Sequence, residues 1–218
     1  MPLHGCMVTT PIVPNLENRT VLTHISWQTY QSLLTDWAEF SHQRLTYNQG
    51  TLEIMSPLPE HEASKRILGR FVESATEELG LEICSLGSTT WSRQDLSKGL
   101  EPDECYYITQ EAIARGKDRF DLSIDPAPDL AIEIDLTSSS LERLSIYAAL
   151  GVGEVWRFDG HDLWIYSLEK GEYSLQEASK VLPILTRFDL LRFLAQKGKL
   201  GENAILREFR QWLRQQLK

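Results

Sequence analysis

Eight consecutive residues constrain this chain more than any other stretch. In Asp129-Leu130-Ala131-Ile132-Glu133-Ile134-Asp135-Leu136 every second residue is a large aliphatic one, which is the period of a β-strand, whose side chains point to opposite faces in turn. Leu130, Ile132, Ile134 and Leu136 are therefore expected in a core, while Asp129, Ala131, Glu133 and Asp135 share the other face. At ~3.3 Å per residue, Glu133 and Asp135 stand about 6.6 Å apart and Asp129 about 13 Å from Glu133, so one ion cannot easily touch both Asp129 and Glu133. Carboxylates crowded on a sheet face raise one another's pKa, and a bound divalent cation relieves them, as would a solvated outer face. The strand reads as central and Ala131 leaves room above it, so metal binding is the expectation.

The rest of the chain sets the class. Its 218 residues suit one domain, or one with a small appendage, and 42% hydrophobic with 24% charged residues is ordinary for a globular protein. No run approaches the ~20 apolar residues needed to span a bilayer, and the first 30 residues lack a basic start and an apolar core of a leader, so the expected address is the cytoplasm. Cys6, Cys84 and Cys105 form no CxxC pair and read as reduced thiols. The formal net charge of -9 repels polyanions at long range, so any nucleic-acid contact must be local, metal-assisted or made by a dimer. The charge is uneven: ten acids face three bases from Glu101 to Asp135, whereas eight bases face three acids from Arg187 to the C-terminus. The middle could hold a cation and the tail could face an anion, unless both are solvated faces.

Residues 1–20 show no period and read as a loose arm. Ser26 is a candidate N-cap for a helix to about Phe40, with Trp27, Tyr30, Leu33, Leu34 and Trp37 on one face. Arg44 to Tyr47 and Thr51 to Met55, separated by Asn48-Gln49-Gly50, read as a hairpin. A helix from His61 to Leu79 ends at Gly80. Strands are expected over Leu81 to Leu86, Thr89 to Arg93, Asp103 to Ile108 and Asp129 to Leu136, followed by a helix from about Ser140 to Leu150 and a strand from Glu154 to Asp159. A hairpin across Lys170-Gly171 and a last amphipathic helix from Glu202 to Leu217 complete an α/β domain. Tyr147 and Trp156 read as core aromatics.

Pro102-Asp103-Glu104 supplies a partner for the central strand. If the strand opening at Asp103 pairs with the one containing Glu133, a carboxylate from each can converge on Mg²⁺. Pro102-Asp103, Pro128-Asp129-Leu-Ala-Ile-Glu133 and Arg143-Leu-Ser-Ile-Tyr147-Ala-Ala-Leu-Gly-Val-Gly-Glu154-Val-Trp156 together resemble the Uma-type family, whose members carry a domain of the PD-(D/E)XK nuclease superfamily. The stretch Tyr47-Asn-Gln-Gly-Thr-Leu-Glu53-Ile-Met-Ser-Pro-Leu-Pro-Glu-His61-Glu62 is similar to that family's front hairpin and first core helix. The resemblance covers roughly residues 25 to 180.

What it implies is a restriction-endonuclease-like mixed sheet flanked by helices, over about 21–180, with an N-terminal helix and hairpin in front and a helical extension over 181–218. It also implies Mg²⁺ or Mn²⁺ held by Asp103 and Glu133, with DNA as the substrate of phosphodiester hydrolysis. The motif lysine should follow two residues after Glu133, where Asp135 stands; in this family it has moved to the next helix, and the matching position is Arg143. Arginine can steady a developing phosphate charge but does not give up its proton at neutral pH. The catalytic set carried over is thus Asp103, Glu133 and Arg143, with His61, Glu62, Asp129 and Asp135 as supporting candidates. His61 also suits a capping or packing role, and Glu62 suits first-turn helix electrostatics. Two further readings stay open: a catalytically silent nuclease fold that binds nucleic acid or protein, and a small-molecule hydrolase on the same metal site. The acidic surface and the front aromatics Trp27, Tyr30, Trp37 and Phe40 suggest a homodimer.

Overall fold

The computed structural model describes residues 18–37, 43–137 and 141–218. Two sheets organise them. The front sheet is antiparallel, in the order β1 (Asn18–Leu22), β3 (Thr51–Ser56), β2 (Arg44–Asn48), β6 (Lys98–Leu100) and β5 (Trp91–Arg93). Helix α1 (Trp27–Trp37) covers it, with Tyr30 stacked on Tyr47 at 4.9 Å between ring centroids. The expected front hairpin is therefore the centre of a larger sheet. One strand comes from the segment read as a loose arm: residues 18–22 pair with β3 from Asn18↔Ser56 to Leu22↔Leu52. The rest of that arm, and the end of the first helix at Phe40, lie outside the described residues.

The second sheet is mixed, in the order β11 (Glu172–Gln176), β10 (Leu163–Glu169), β9 (Glu154–Phe158), β8 (Leu130–Ile134), β7 (Glu104–Tyr107) and β4 (Cys84–Ser85). Only β8 and β9 run parallel, and α4 (Arg143–Leu150) makes the crossover between them. The β10–β11 hairpin turns on Lys170 and Gly171, both at positive φ, 51° and 86°, the pair of angles that a two-residue turn needs to match strand twist.

Strand β8 sits where the alternation put it, with all five residues buried. Leu130, Ile132 and Ile134 join the main core, made with α2 (Pro59–Leu79), α5 (Arg187–Leu194) and α6 (Glu202–Gln216). Each such aliphatic chain contributes about 1.5–3 kcal/mol by leaving water. Ala131, on the other face, packs with Tyr147, Ile146 and Val155 in a second core under α4. The carboxylate face of β8 is thus covered too.

Helix α2 begins at Pro59, where a missing N–H costs nothing, with Glu60 and Glu62 in its first turn. It ends at Gly80, which takes φ 66° while its N–H bonds the Glu77 carbonyl. The basic tail is built into the body: Arg210 and Arg214 of α6 pair with Glu77 and Glu78 of α2, and Arg70 of α2 reaches Glu202. Strand β6 and the short α3 (Glu111–Ala114) were not expected from sequence, while α5 falls within the segment 181–218 read as a helical extension. Among the described residues no helix is long and apolar enough to cross a membrane.

Candidate functional site

The site forms where β7 and β8 meet the N-terminus of α4. Glu104 pairs with Ile132, and the Asp103 N–H, one residue earlier, donates to the Ile132 carbonyl at 3.1 Å. Asp103 therefore stands across from the Ile132–Glu133 step, as the proposed strand pairing required. Its Oδ2 accepts from the Ile134 N–H at 2.7 Å and lies 3.2 Å from Nε2 of His61, in the first turn of α2. Both residues are almost fully buried.

Glu133 is held by α4. Glu142 caps that helix by accepting from the Ser145 N–H at 3.1 Å, and Arg143 and Tyr147 then fall one turn apart on the same face. Arg143 Nη2 donates to Glu133 Oε1 at 2.6 Å, and the Tyr147 hydroxyl donates to the same oxygen. Arg143 is fixed further by Thr46 Oγ1 on β2 and by the Glu101 carbonyl at 2.9 Å. Beside this group a cavity of about 300 Å³ is lined by Glu133, Asp135, Arg143, Tyr147 and Arg157, among others.

Other candidates lie apart. Asp129 serves the turn after β7: it accepts from the N–H groups of Ile108 and Gln110 at 2.6 and 3.0 Å, and from the Thr109 hydroxyl and the Gln110 amide at 2.5 and 3.1 Å. Glu62 is half-exposed and paired with Lys65 at 3.1 Å. Asp135 lies on the cavity wall with an arginine on each side, Arg19 at 3.2 Å and Arg157 at 2.7 Å.

Carboxylate oxygens are the donors that a hard cation takes. Asp103, one residue before β7, and Glu133 of β8 are both carboxylates, and the hydrogen bonds described above fall on Asp103 Oδ2 and Glu133 Oε1. Mg²⁺ is commonly held by one or two carboxylates with waters completing the shell. Among the described residues no group of three or more His, Cys, Asp or Glu is arranged to hold an ion.

A family model described as a putative restriction endonuclease, Uma2, matches residues 27–195. The chain belongs to the Uma2 family. Among solved structures it is similar to a protein described as a putative nuclease belonging to DUF820 from Anabaena variabilis, with 14% identity and a TM-score of 0.54 over 77% of this chain and 98% of that one. At that identity the likeness speaks for the fold. No curated protein matches the sequence. Strand β1 and helix α6 lie outside the Uma2 match.

Electrostatics distinguish the two carboxylates of this Uma2 chain. Burial raises the Asp103 pKa, but His61, the Ile134 N–H and the Arg143 charge outweigh it and hold the group below the usual carboxylate range. Glu133 goes the other way: burial, aided by the charge of Asp103, overcomes Arg143 and Tyr147 and raises it to about 7. Burial opposes the charge of Arg143, yet Glu133 and Tyr147 hold its pKa above the ordinary arginine value.

The raised Glu133 fixes a sign. Between its ordinary pKa of 4.5 and about 7 the folded protein binds a proton that the unfolded chain does not, so this group's stabilisation is present at low pH and lost as pH rises through that window. The urea midpoint of the wild type is expected to fall more steeply from pH 5 to 7 than that of Glu133→Gln. Parallel curves would show that Glu133 does not titrate there.

Three contributors were missed from sequence. Tyr147 had a usable signal, since a residue four beyond Arg143 on a helix must share its face. Thr46 had a fainter one, because between Leu45 and Tyr47 it points to the opposite side of β2. Arg19 had none, lying 116 residues from Asp135.

Proposed function

We propose that this protein is a nuclease-fold module that engages nucleic acid without efficiently hydrolysing it. The observation that carries this reading is the Arg143 guanidinium bonded to Glu133, Thr46 and the Glu101 carbonyl. The position that the family resemblance gives to a lysine holds a cation that cannot lose its proton near pH 7. It neutralises the carboxylate on which hydrolysis would depend. Tyr147 adds a second donor to the same oxygen, so Glu133 is fastened to the helix rather than presented to solvent. Membership of the Uma2 family and the likeness to a nuclease fold support nucleic acid as the ligand class.

A second reading, a Mg²⁺- or Mn²⁺-dependent DNA endonuclease, is favoured by the backbone pairing that sets Asp103 beside the Ile132–Glu133 step of β8. In that case the two carboxylates would hold the metal, which would lower the pKa of a bound water and polarise the phosphate. Arg143 would steady the charge developing on phosphorus-bound oxygen.

One experiment separates them. Labelled DNA duplex and single strand are titrated with protein in EDTA and in Mn²⁺, followed by fluorescence anisotropy and then by gel for nicks. Binding in both conditions with intact DNA is the expected result. Nicking that disappears in Asp103→Ala and Glu133→Ala overturns it in favour of the endonuclease. Absence of binding to either DNA points to a protein partner instead. Light scattering on the same samples reads the homodimer expected from the acidic surface.

A further inference from the structure

A second groove, of about 850 Å³, lies beside β5, the last strand of the front sheet, and shares no lining residue with the cavity at Glu133. Trp27 and Gln31 of α1 contribute to its wall, and so does Phe120. Other rings hold both aromatic residues in place. Trp27 packs on Tyr30 and Tyr47 at 5.2 and 5.6 Å between centroids, and Phe120 on Trp91 and Tyr107 at 5.5 and 5.4 Å. Arg93, the cation among the described lining residues, is already bound to Asp95 at 2.6 Å and to the Leu122 carbonyl at 3.3 Å. Asp121 Oδ1 accepts from the N–H and the hydroxyl of Ser123 at 2.9 and 2.6 Å. The amides of Gln31 and Gln94 and the hydroxyl of Ser92 also line the groove, and they make no side-chain hydrogen bond among the described residues. A ligand therefore meets fixed aromatic surface and uncharged donors and acceptors, with no unpaired arginine or lysine.

That chemistry suits a nucleobase, which has a π-face to stack and donors and acceptors on its edges. It does not suit a phosphate, whose partners are mostly cations and backbone N–H groups. We infer that this groove takes unpaired bases, so that the protein prefers single-stranded to double-stranded nucleic acid. The inference rests on the reading of nucleic acid as the ligand, and it adds which part of the ligand is held and where. In a duplex the base faces are stacked and the edges paired, and only an unstacked base presents both at once. The volume falls within the ~300–1,000 Å³ of small-ligand sites.

The test is fluorescence anisotropy in EDTA, with a short labelled single strand of mixed sequence and the same sequence as duplex, at several salt concentrations. The wild type is expected to bind the single strand about tenfold more tightly than the duplex. Trp27→Ala should lose about tenfold on the single strand, the scale of one base–aromatic stack, and leave duplex affinity unchanged. Trp27→Phe should regain most of that loss. Gln31→Ala and Gln94→Ala should each lose about threefold on the single strand, with the urea midpoint unchanged. In all four variants the slope of log affinity against log salt should stay that of the wild type, because phosphate contacts set it and base contacts do not. A purely structural Trp27 would lower the urea midpoint and weaken both forms alike. Equal losses on the two forms, equal wild-type affinities for them, or a shallower salt slope in the variants therefore overturns the inference. Should Trp27→Ala not fold, the two glutamine variants decide, and unchanged single-strand affinity in both overturns it as well. A wild type that binds neither form removes the nucleic-acid reading and this inference together, whereas single-strand binding that every variant leaves intact removes this inference alone.

Discussion

Arg143→Lys is expected to give a protein that nicks DNA in Mn²⁺ at a rate about 10²-fold or more above wild type, the scale of one well-placed proton-transfer group. The reason lies in what the two side chains can do from the same helix position. The guanidinium is bound at three points, Glu133, Thr46 and the Glu101 carbonyl, and its proton stays on. A lysine ammonium at residue 143 can still pair with Glu133 but cannot span Thr46 and Glu101 as well, and it can exchange a proton with water. The substitution should cost about 1 kcal/mol per lost hydrogen bond in urea unfolding, a change that does not explain a gain in cleavage. The control is Arg143→Lys combined with Glu133→Ala, which should be inactive. Intact DNA in the presence of folded, Mn²⁺-loaded Arg143→Lys would show that arginine is not what holds the reaction back.

Why the carboxylate strand was readable while the rest of the site was not follows from the range of the interactions. The alternation from Asp129 to Leu136 is a local pattern, and it placed Ile132 and Glu133 on opposite faces because each residue's direction is set by its neighbours. The pairing of Asp103 with that strand needed one long-range step, which the sequence offered only as a condition. What sequence could not reach was the competition for each oxygen. Asp129 and Glu133 look equivalent on paper, yet one accepts on both oxygens from a turn at residues 108–110 and the other is bonded through Oε1 by a helix at 143–147. Arg19 was lost for a related reason: an aperiodic, proline-rich segment carries no signal for a strand whose pairing comes from β3. The front sheet was seen as a hairpin and a separate strand over Thr89 to Arg93, because the link between them, β6, is three residues long, too short for a period to show.

The contrast between Asp129 and Glu133 gives the other large effect, this time on stability. Asp129→Ala is expected to destabilise the fold by about 3–5 kcal/mol. Its carboxylate accepts four hydrogen bonds from Ile108, Thr109 and Gln110, two of them from backbone N–H groups that have no ready substitute. The Ile108 N–H is buried, and an unpaired buried donor costs about 1–3 kcal/mol on its own. Asp129→Asn should recover part of the loss, because its amide oxygen can keep one side of the turn while its NH₂ faces donors on the other. Glu133→Gln, by contrast, keeps an acceptor for Arg143 and Tyr147 and should cost much less near neutral pH, where the carboxyl is already close to its own pKa of about 7. Urea unfolding of the three variants at pH 7 measures the order. A loss below ~1 kcal/mol for Asp129→Ala would mean that the turn at residues 108–110 holds without its carboxylate, and Asp129 would return to the list of residues free to serve the cleft.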